Sequence, residues 1–169
     1  MSEKYLKTYL IDHLAGSVAA IEILQSLGKV YADTALARFF ADLQNDIAAD
    51  QRQLQSVIHR LQITESGPRK LSAWLTEKLI ELKLRVDDGS RGPLRLLESL
   101  DVIGLGIHGK LAMWHALKAA AEEHPLLRDV VDYERLAERA EEQRRRLEVV
   151  RLEAAKVAFA GRCMARETL

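Results

Sequence analysis

The residue with the clearest chemical potential in this chain is Asp50, because it interrupts an otherwise apolar stripe. The stripe comprises Leu36, Phe40, Leu43, Ile47, Asp50, Leu54, Val57 and Leu61. This 4-3-4-3 spacing places the side chains on one face of a helix that is turned toward neighbouring helices. A carboxylate among hydrocarbon side chains costs several kcal/mol unless a cation, hydrogen-bond donors or a metal ion compensate it. Asp50 therefore predicts a buried polar network or an ion site.

Three further polar residues hold comparable positions in apolar stripes. Gln143 does so in a second stripe, made of Tyr133, Leu136, Ala140, Gln143, Leu147, Val150, Ala154 and Val157. Ser17 does so near the N-terminus, and its stripe is Leu10, Leu14, Ser17, Ile21 and Leu24. Lys110 belongs to the set if its stripe is Leu96, Leu100, Ile103, Ile107, Lys110, Trp114 and Leu117. A neighbouring register omits it and consists of Leu97, Leu100, Gly104, Ile107, Leu111 and Trp114.

The simplest interpretation is a buried polar core network of Ser17, Asp50, Lys110 and Gln143. At one height in a bundle, Asp50 would pair with Lys110 and the others would form hydrogen bonds. Such groups in helical seams are best known for fixing helix register.

A second interpretation is a metal site with a reduced ligand set. The candidates are Asp50, His108 and Asp101, with His13 as an optional fourth member, and they supply mixed nitrogen and oxygen ligands. Such a set suits a single zinc or manganese ion. Asp101 and His108 share one helix face because they are seven residues apart.

A conventional di-iron carboxylate site is not expected. Those sites use inward glutamates and two Glu-x-x-His pairs. This sequence contains neither Glu-x-x-His nor Asp-x-x-His. The corresponding pairs here are Asp46 and Ala49, Asp50 and Gln53, Glu138 and Glu141, and Glu142 and Arg145.

Composition excludes several classes of protein. Lysine plus arginine and aspartate plus glutamate both number 25, so there is no net charge to attract nucleic acid or an anionic membrane. The one cysteine, Cys163, excludes an intrachain disulfide. The N-terminus lacks a signal-peptide pattern, and no run approaches the ~20 apolar residues of a membrane span. We therefore expect a cytoplasmic protein with no nucleic-acid or membrane partner.

The chain is predicted to be a single all-α domain over residues 1–169. Four long helices are expected over about 4–27, 34–61, 93–121 and 132–160, with Gly28 capping the first and Asp129 or Asp132 starting the last. A shorter amphipathic helix is expected over about 71–86. Roughly thirty residues between the second and third long helices provide the long crossover of a ferritin-like antiparallel four-helix bundle. The face of the short helix suits a homodimer, and carries Trp74, Leu75, Leu79 and Leu82.

Three segments resemble a family of uncharacterised bacterial ferritin-like proteins: YLIDHLAG, DIAADQ and LGIHGKLAMWHAL. The resemblance implies the ferritin-like fold but brings no established activity. The family carries an acidic residue where this chain has His108.

These observations favour a protein that is not an enzyme. The leading hypothesis is a non-catalytic helical scaffold or interaction protein, without a cofactor, in which a polar core network replaces a degenerate metal site. The alternative is a metal-binding ferritin-like protein with the reduced Asp/His ligand set.

Overall fold

The computed structural model describes residues 2–63 and 92–160, and these residues form four long helices. The helices are α1 (Ser2–Val30), α2 (Ala35–Arg60), α3 (Pro93–Glu123) and α4 (Tyr133–Ala160). A short 3₁₀ helix, Pro125–Leu127, lies between α3 and α4. No strand occurs in these two ranges, which confirms the all-α prediction for them. The predicted helix over 71–86, its apolar face and Cys163 lie outside the described residues.

The sequence predicted capping residues at the end of α1 and at the start of α4, and only the second prediction agrees with the structure. Gly28 does not end α1, which continues to Val30. The chain turns only after Val30, where the Thr34 N–H bonds to the Tyr31 carbonyl at 3.0 Å. At the start of α4, the Arg135 N–H donates to Asp132 Oδ1 at 3.0 Å, so Asp132 is the cap.

The interior is divided into two apolar clusters, here called core I and core II. Core I contains Ile23, Leu24, Leu27, Leu36, Phe40, Leu43, Ile47, Leu96, Leu97, Leu100, Ile103, Ile107, Leu147, Val150 and Ala154. Core II contains Leu10, Leu14, Leu54, Val57, Ile58, Met113, Trp114, Leu117, Leu127, Tyr133, Leu136, Ala137 and Ala140. Every long helix contributes to both clusters. Each helix therefore spans the full length of the interior.

The order of these residues along the chain gives the direction of each helix. Helices α2 and α3 begin in core I and end in core II, whereas α1 and α4 run from core II to core I. Helices α1 and α2 therefore form one antiparallel hairpin, and α3 and α4 form a second. Helices α2 and α3 run in the same direction.

Packing is most extensive within each hairpin, between α1 and α2 and between α3 and α4. Gly104 marks a close approach in the second hairpin, since a Cβ atom there would lie 3.3 Å from Leu147 Cδ2. Gly106, two residues further along α3, is exposed, and a Cβ atom there would meet none of the described residues within 4 Å. The two glycines thus share a helix but differ in how tightly their surroundings restrict a side chain.

The connection in the second hairpin is held to core II by Tyr133. Its ring is buried, and its hydroxyl donates a 2.8 Å hydrogen bond to the Leu127 carbonyl. The Trp114 ring lies nearby, with centroids 6.4 Å apart. Burial raises the pKa of Tyr133 to about 12, because the phenolate would be poorly solvated there.

Replacing Gly106 by alanine should stabilise the protein by up to about 1 kcal/mol, since alanine is the better helix former and the site is open. The matched variant is Gly104→Ala, where the same gain is opposed by the contact with Leu147. Urea unfolding should rank Gly106→Ala as the more stable of the two. The reverse order would contradict the packing described for α3.

Stability should fall at alkaline pH because of Tyr133. A tyrosine whose pKa is raised in the folded state stabilises that state fully below pH 10, and this contribution is lost as the pH rises to about 12. Two pH units correspond to about 2 kcal/mol, allowing for partial solvation. In Tyr133→Phe this part of the pH dependence should disappear, as measured by thermal unfolding from pH 8 to pH 12. An unchanged alkaline slope in the variant would refute the assignment.

Candidate functional site

A polar layer separates core I from core II. Asp50, Lys110 and Gln143 each lie between a core I residue and a core II residue on their own helix. The flanking residues are Ile47 and Leu54 for Asp50, Ile107 and Met113 for Lys110, and Leu147 and Ala140 for Gln143. The heptad spacing of each stripe therefore brings three helices to the same height with a polar side chain facing inward.

Asp50 is the centre of this layer, and its side chain is 1% exposed. Its Oδ2 atom accepts a hydrogen bond from Lys110 Nζ at 2.6 Å and another from Gln143 Nε2 at 2.8 Å. Lys110 Nζ also donates to Gln143 Oε1. The three side chains thus form a closed triangle in which the amide of Gln143 both donates and accepts.

The second oxygen of Asp50 faces another cation. Arg139 Nη2 lies 3.1 Å from Oδ1, and the Arg139 side chain is 35% exposed. The contact is an ion pair without hydrogen-bond alignment, and Oδ1 accepts no hydrogen bond from the described part of the chain. Asp50 is therefore held between a buried ammonium group and a guanidinium group that reaches the surface.

The structure selects one of the two registers that the sequence allowed for α3. The Lys110 side chain is 13% exposed, and the apolar members of its stripe are buried. Gly104 and Leu111 of the alternative register are only half-buried. Burial lowers the pKa of Lys110, and the nearby Asp50 opposes this shift only in part. Asp50 therefore compensates only part of the desolvation cost of the ammonium group.

Ser17 does not join the triangle. Its hydroxyl accepts a 2.8 Å hydrogen bond from Gln51 Nε2 and donates to the Leu14 carbonyl at 2.6 Å. The prediction of a four-residue network is therefore wrong for Ser17. The side chain lies on the shoulder of the α1 stripe, where it meets the residue after Asp50 rather than Asp50 itself.

Sequence reasoning missed three charged residues around the layer: Arg139, Asp46 and Arg146. Asp46 and Arg146 form an ion pair between α2 and α4, with side chains 35% and 38% exposed. Asp46 precedes Asp50 by four residues, so the two share a face of α2. Arg139 precedes Gln143 by the same interval on α4. The four-residue spacing from a buried polar residue could have identified Asp46 and Arg139 from the sequence.

The candidate metal ligands are not brought together. His108 is exposed, and Asp101 Oδ1 lies 3.2 Å from Arg151 Nη1. His13 is half-buried with its ring 4.6 Å from that of Tyr9, and burial lowers its pKa against the effect of neighbouring Asp12. Within residues 2–63 and 92–160, no three His, Cys, Asp or Glu side chains form a group that could hold a metal ion.

Comparisons of the chain with protein-family models, with curated proteins and with solved structures give no significant match.

Replacing Lys110 by methionine should destabilise the protein by about 3 kcal/mol, because it removes the buried cation beside Asp50. The carboxylate would then be left with Arg139 and Gln143 alone. The double variant Asp50→Leu with Lys110→Met should recover much of this loss, since it removes both charges. Urea unfolding measures both. A double variant no more stable than Lys110→Met would reject the pairing as the cause.

Lys118→Met provides the matched control. Lys118 also donates to a carboxylate, that of Glu134 at 2.9 Å, but the two side chains are 52% and 71% exposed. Solvent screening limits such pairs to less than about 1 kcal/mol. A comparable loss in Lys110→Met and Lys118→Met would show that removing any lysine from α3 destabilises the bundle.

Proposed function

We propose that this protein is a non-catalytic helical scaffold or interaction protein of ferritin-like architecture, in which a polar core network occupies the place of a metal centre. The observation that carries the proposal is the contact of Asp50 with a cation at each of its two oxygens. Lys110 and Gln143 hydrogen-bond to Oδ2, and Arg139 lies beside Oδ1, which accepts no hydrogen bond from the described residues. A carboxylate held between two cations joins the helices that carry them, and those cations repel a further positive ion.

The directions of the helices support the ferritin-like part of the proposal. Two antiparallel hairpins joined by a long connection, with the second and third helices parallel, correspond to the single-crossover topology of that class. The three segments that resemble uncharacterised bacterial ferritin-like proteins lie on α1, α2 and α3. They contribute Asp50 and Lys110 to the layer.

The alternative, a metal-binding protein with a reduced Asp/His ligand set, is less well supported. A divalent cation beside Asp50 would lie close to both Lys110 and Arg139, and like charges in a poorly solvated site repel strongly. His108 and Asp101, which would have to complete the site, are exposed.

A cytoplasmic location is a further part of the proposal. One helix, over Glu3–Val30, is long and apolar enough to cross a membrane by length and composition alone. Its residues Leu10, Leu14 and Leu24 lie in the two cores, but only 22% of its most apolar 18-residue window is buried among the described residues.

Elemental analysis tests the choice between the two hypotheses. Protein purified without added metal, and the same protein after incubation with zinc or manganese and gel filtration, should both contain far less than one metal ion per chain. The variant Asp50→Asn should not change the metal content. One ion per chain that is lost in Asp50→Asn would establish the metal-binding alternative.

A further inference from the structure

Three ion pairs join the first hairpin to the second at the height of the polar layer. Asp50 pairs with Lys110 and with Arg139, and Asp46 pairs with Arg146. In each pair the carboxylate belongs to α2, in the first hairpin, and the cation belongs to α3 or α4, in the second. In these pairs the negative charges therefore lie on the first hairpin and the positive charges on the second.

This separation determines which hairpins can pack together. Two first hairpins placed face to face would bring Asp50 against Asp50 without a cation, and an uncompensated buried carboxylate is strongly destabilising. Two second hairpins would place Lys110 and Arg139 against their own copies. Packing of a first hairpin on a second hairpin is the combination in which both carboxylates of the layer contact a cation.

We propose that the charged layer is a pairing code, by which an α1–α2 hairpin accepts only an α3–α4 hairpin, either its own or that of a second copy of this chain. Charged groups buried in helical seams serve such selection against wrong partners. An ion pair that adds little net stability can still discriminate between partners, because a wrong partner leaves a buried charge uncompensated.

The chain offers the means for exchange between copies. The hairpins are connected by residues 64–91, and a segment of this length extends to roughly 90 Å when stretched. Contacts between the hairpins are sparser than those within them. The complementary hairpin of another molecule therefore fits each hairpin as well as its own does. This inference shares its charged layer with the proposed function but does not depend on the absence of catalysis or metal.

The test uses two full-length variants with like charges in the layer, Asp50→Lys and Lys110→Asp. In each variant alone, positions 50 and 110 carry charges of the same sign in every copy. Neither the monomer nor an exchanged homodimer can therefore pair opposite charges at these two positions. The two variants are then unfolded together and refolded as an equimolar mixture.

In the mixture, a heterodimer that exchanges hairpins can pair opposite charges at positions 50 and 110 in both of its bundles. The altered first hairpin of the Asp50→Lys chain packs on the altered second hairpin of the Lys110→Asp chain, and the two unaltered hairpins pack on each other. We expect a 1:1 heterodimer with twice the monomer mass by light scattering and native mass spectrometry. It should be enriched about tenfold or more over either homodimer, because like charges at the paired positions disfavour both homodimers.

The control is the double variant Asp50→Lys with Lys110→Asp in one chain, which should refold as a monomer because its charges are complementary in cis. If this double variant is monomeric and the mixture yields no heterodimer, the proposal is refuted. It is also refuted if either single variant dimerises as readily alone as in the mixture.

A second pair of variants keeps the proposal testable if Asp50→Lys or Lys110→Asp does not fold. Asp46 and Arg146 are partly exposed and tolerate substitution better, so Asp46→Arg and Arg146→Asp should give the same heterodimer preference, at a smaller ratio. Absence of a preference with this pair, when both variants fold, would also refute the pairing code. The metal content of the wild type would be unaffected, so this failure is distinguishable from failure of the proposed function.

Discussion

The arrangement of this bundle depends on one constraint, the need to compensate the Asp50 carboxylate away from water. A helix in a bundle can place hydrophobic side chains inward at many rotations and offsets, and the energies of these alternatives are similar. A buried charge removes most of them, because its partners must lie within about 3 Å. Lys110 and Gln143 satisfy this requirement from α3 and α4, so the position of α2 relative to the second hairpin is fixed by contacts with defined geometry.

The same layer divides the interior into core I and core II. Packing within each core is supplied by leucine, isoleucine and aromatic residues, which exclude water but specify relative helix positions weakly. Buried ion pairs of this kind often contribute little net stability, because the desolvation of both charges opposes their attraction. Stability and specificity are therefore supplied by different residues. The apolar clusters supply the first, and Asp50 with its partners supplies the second.

The fold class and the inward faces of two helices could be predicted from the sequence.

The apolar stripes on α2 and α4 are buried as expected, from Leu36 to Val57 and from Tyr133 to Ala154. The prediction that Gly28 caps α1 was wrong, because the helix continues to Val30 and the sequence does not show where the chain turns. Arg139 was missed because a long side chain on the shoulder of a helix reaches a buried carboxylate only when the distance between helices is known. The prediction that Ser17 joins the network was wrong for a related reason. A small rotation of α1 decides which neighbouring residue its hydroxyl contacts.

The parallel course of α2 and α3 has a consequence for the kinetics of folding. Contacts within each hairpin join residues that are close in sequence, whereas Asp50 and Lys110 are separated by 60 positions. Closing the loop between them has an entropic cost that only contacts made afterwards can offset. Each hairpin is thus expected to collapse early, and the layer to assemble when the two meet. Discrimination by charge would then act when the two hairpins meet and the layer is buried.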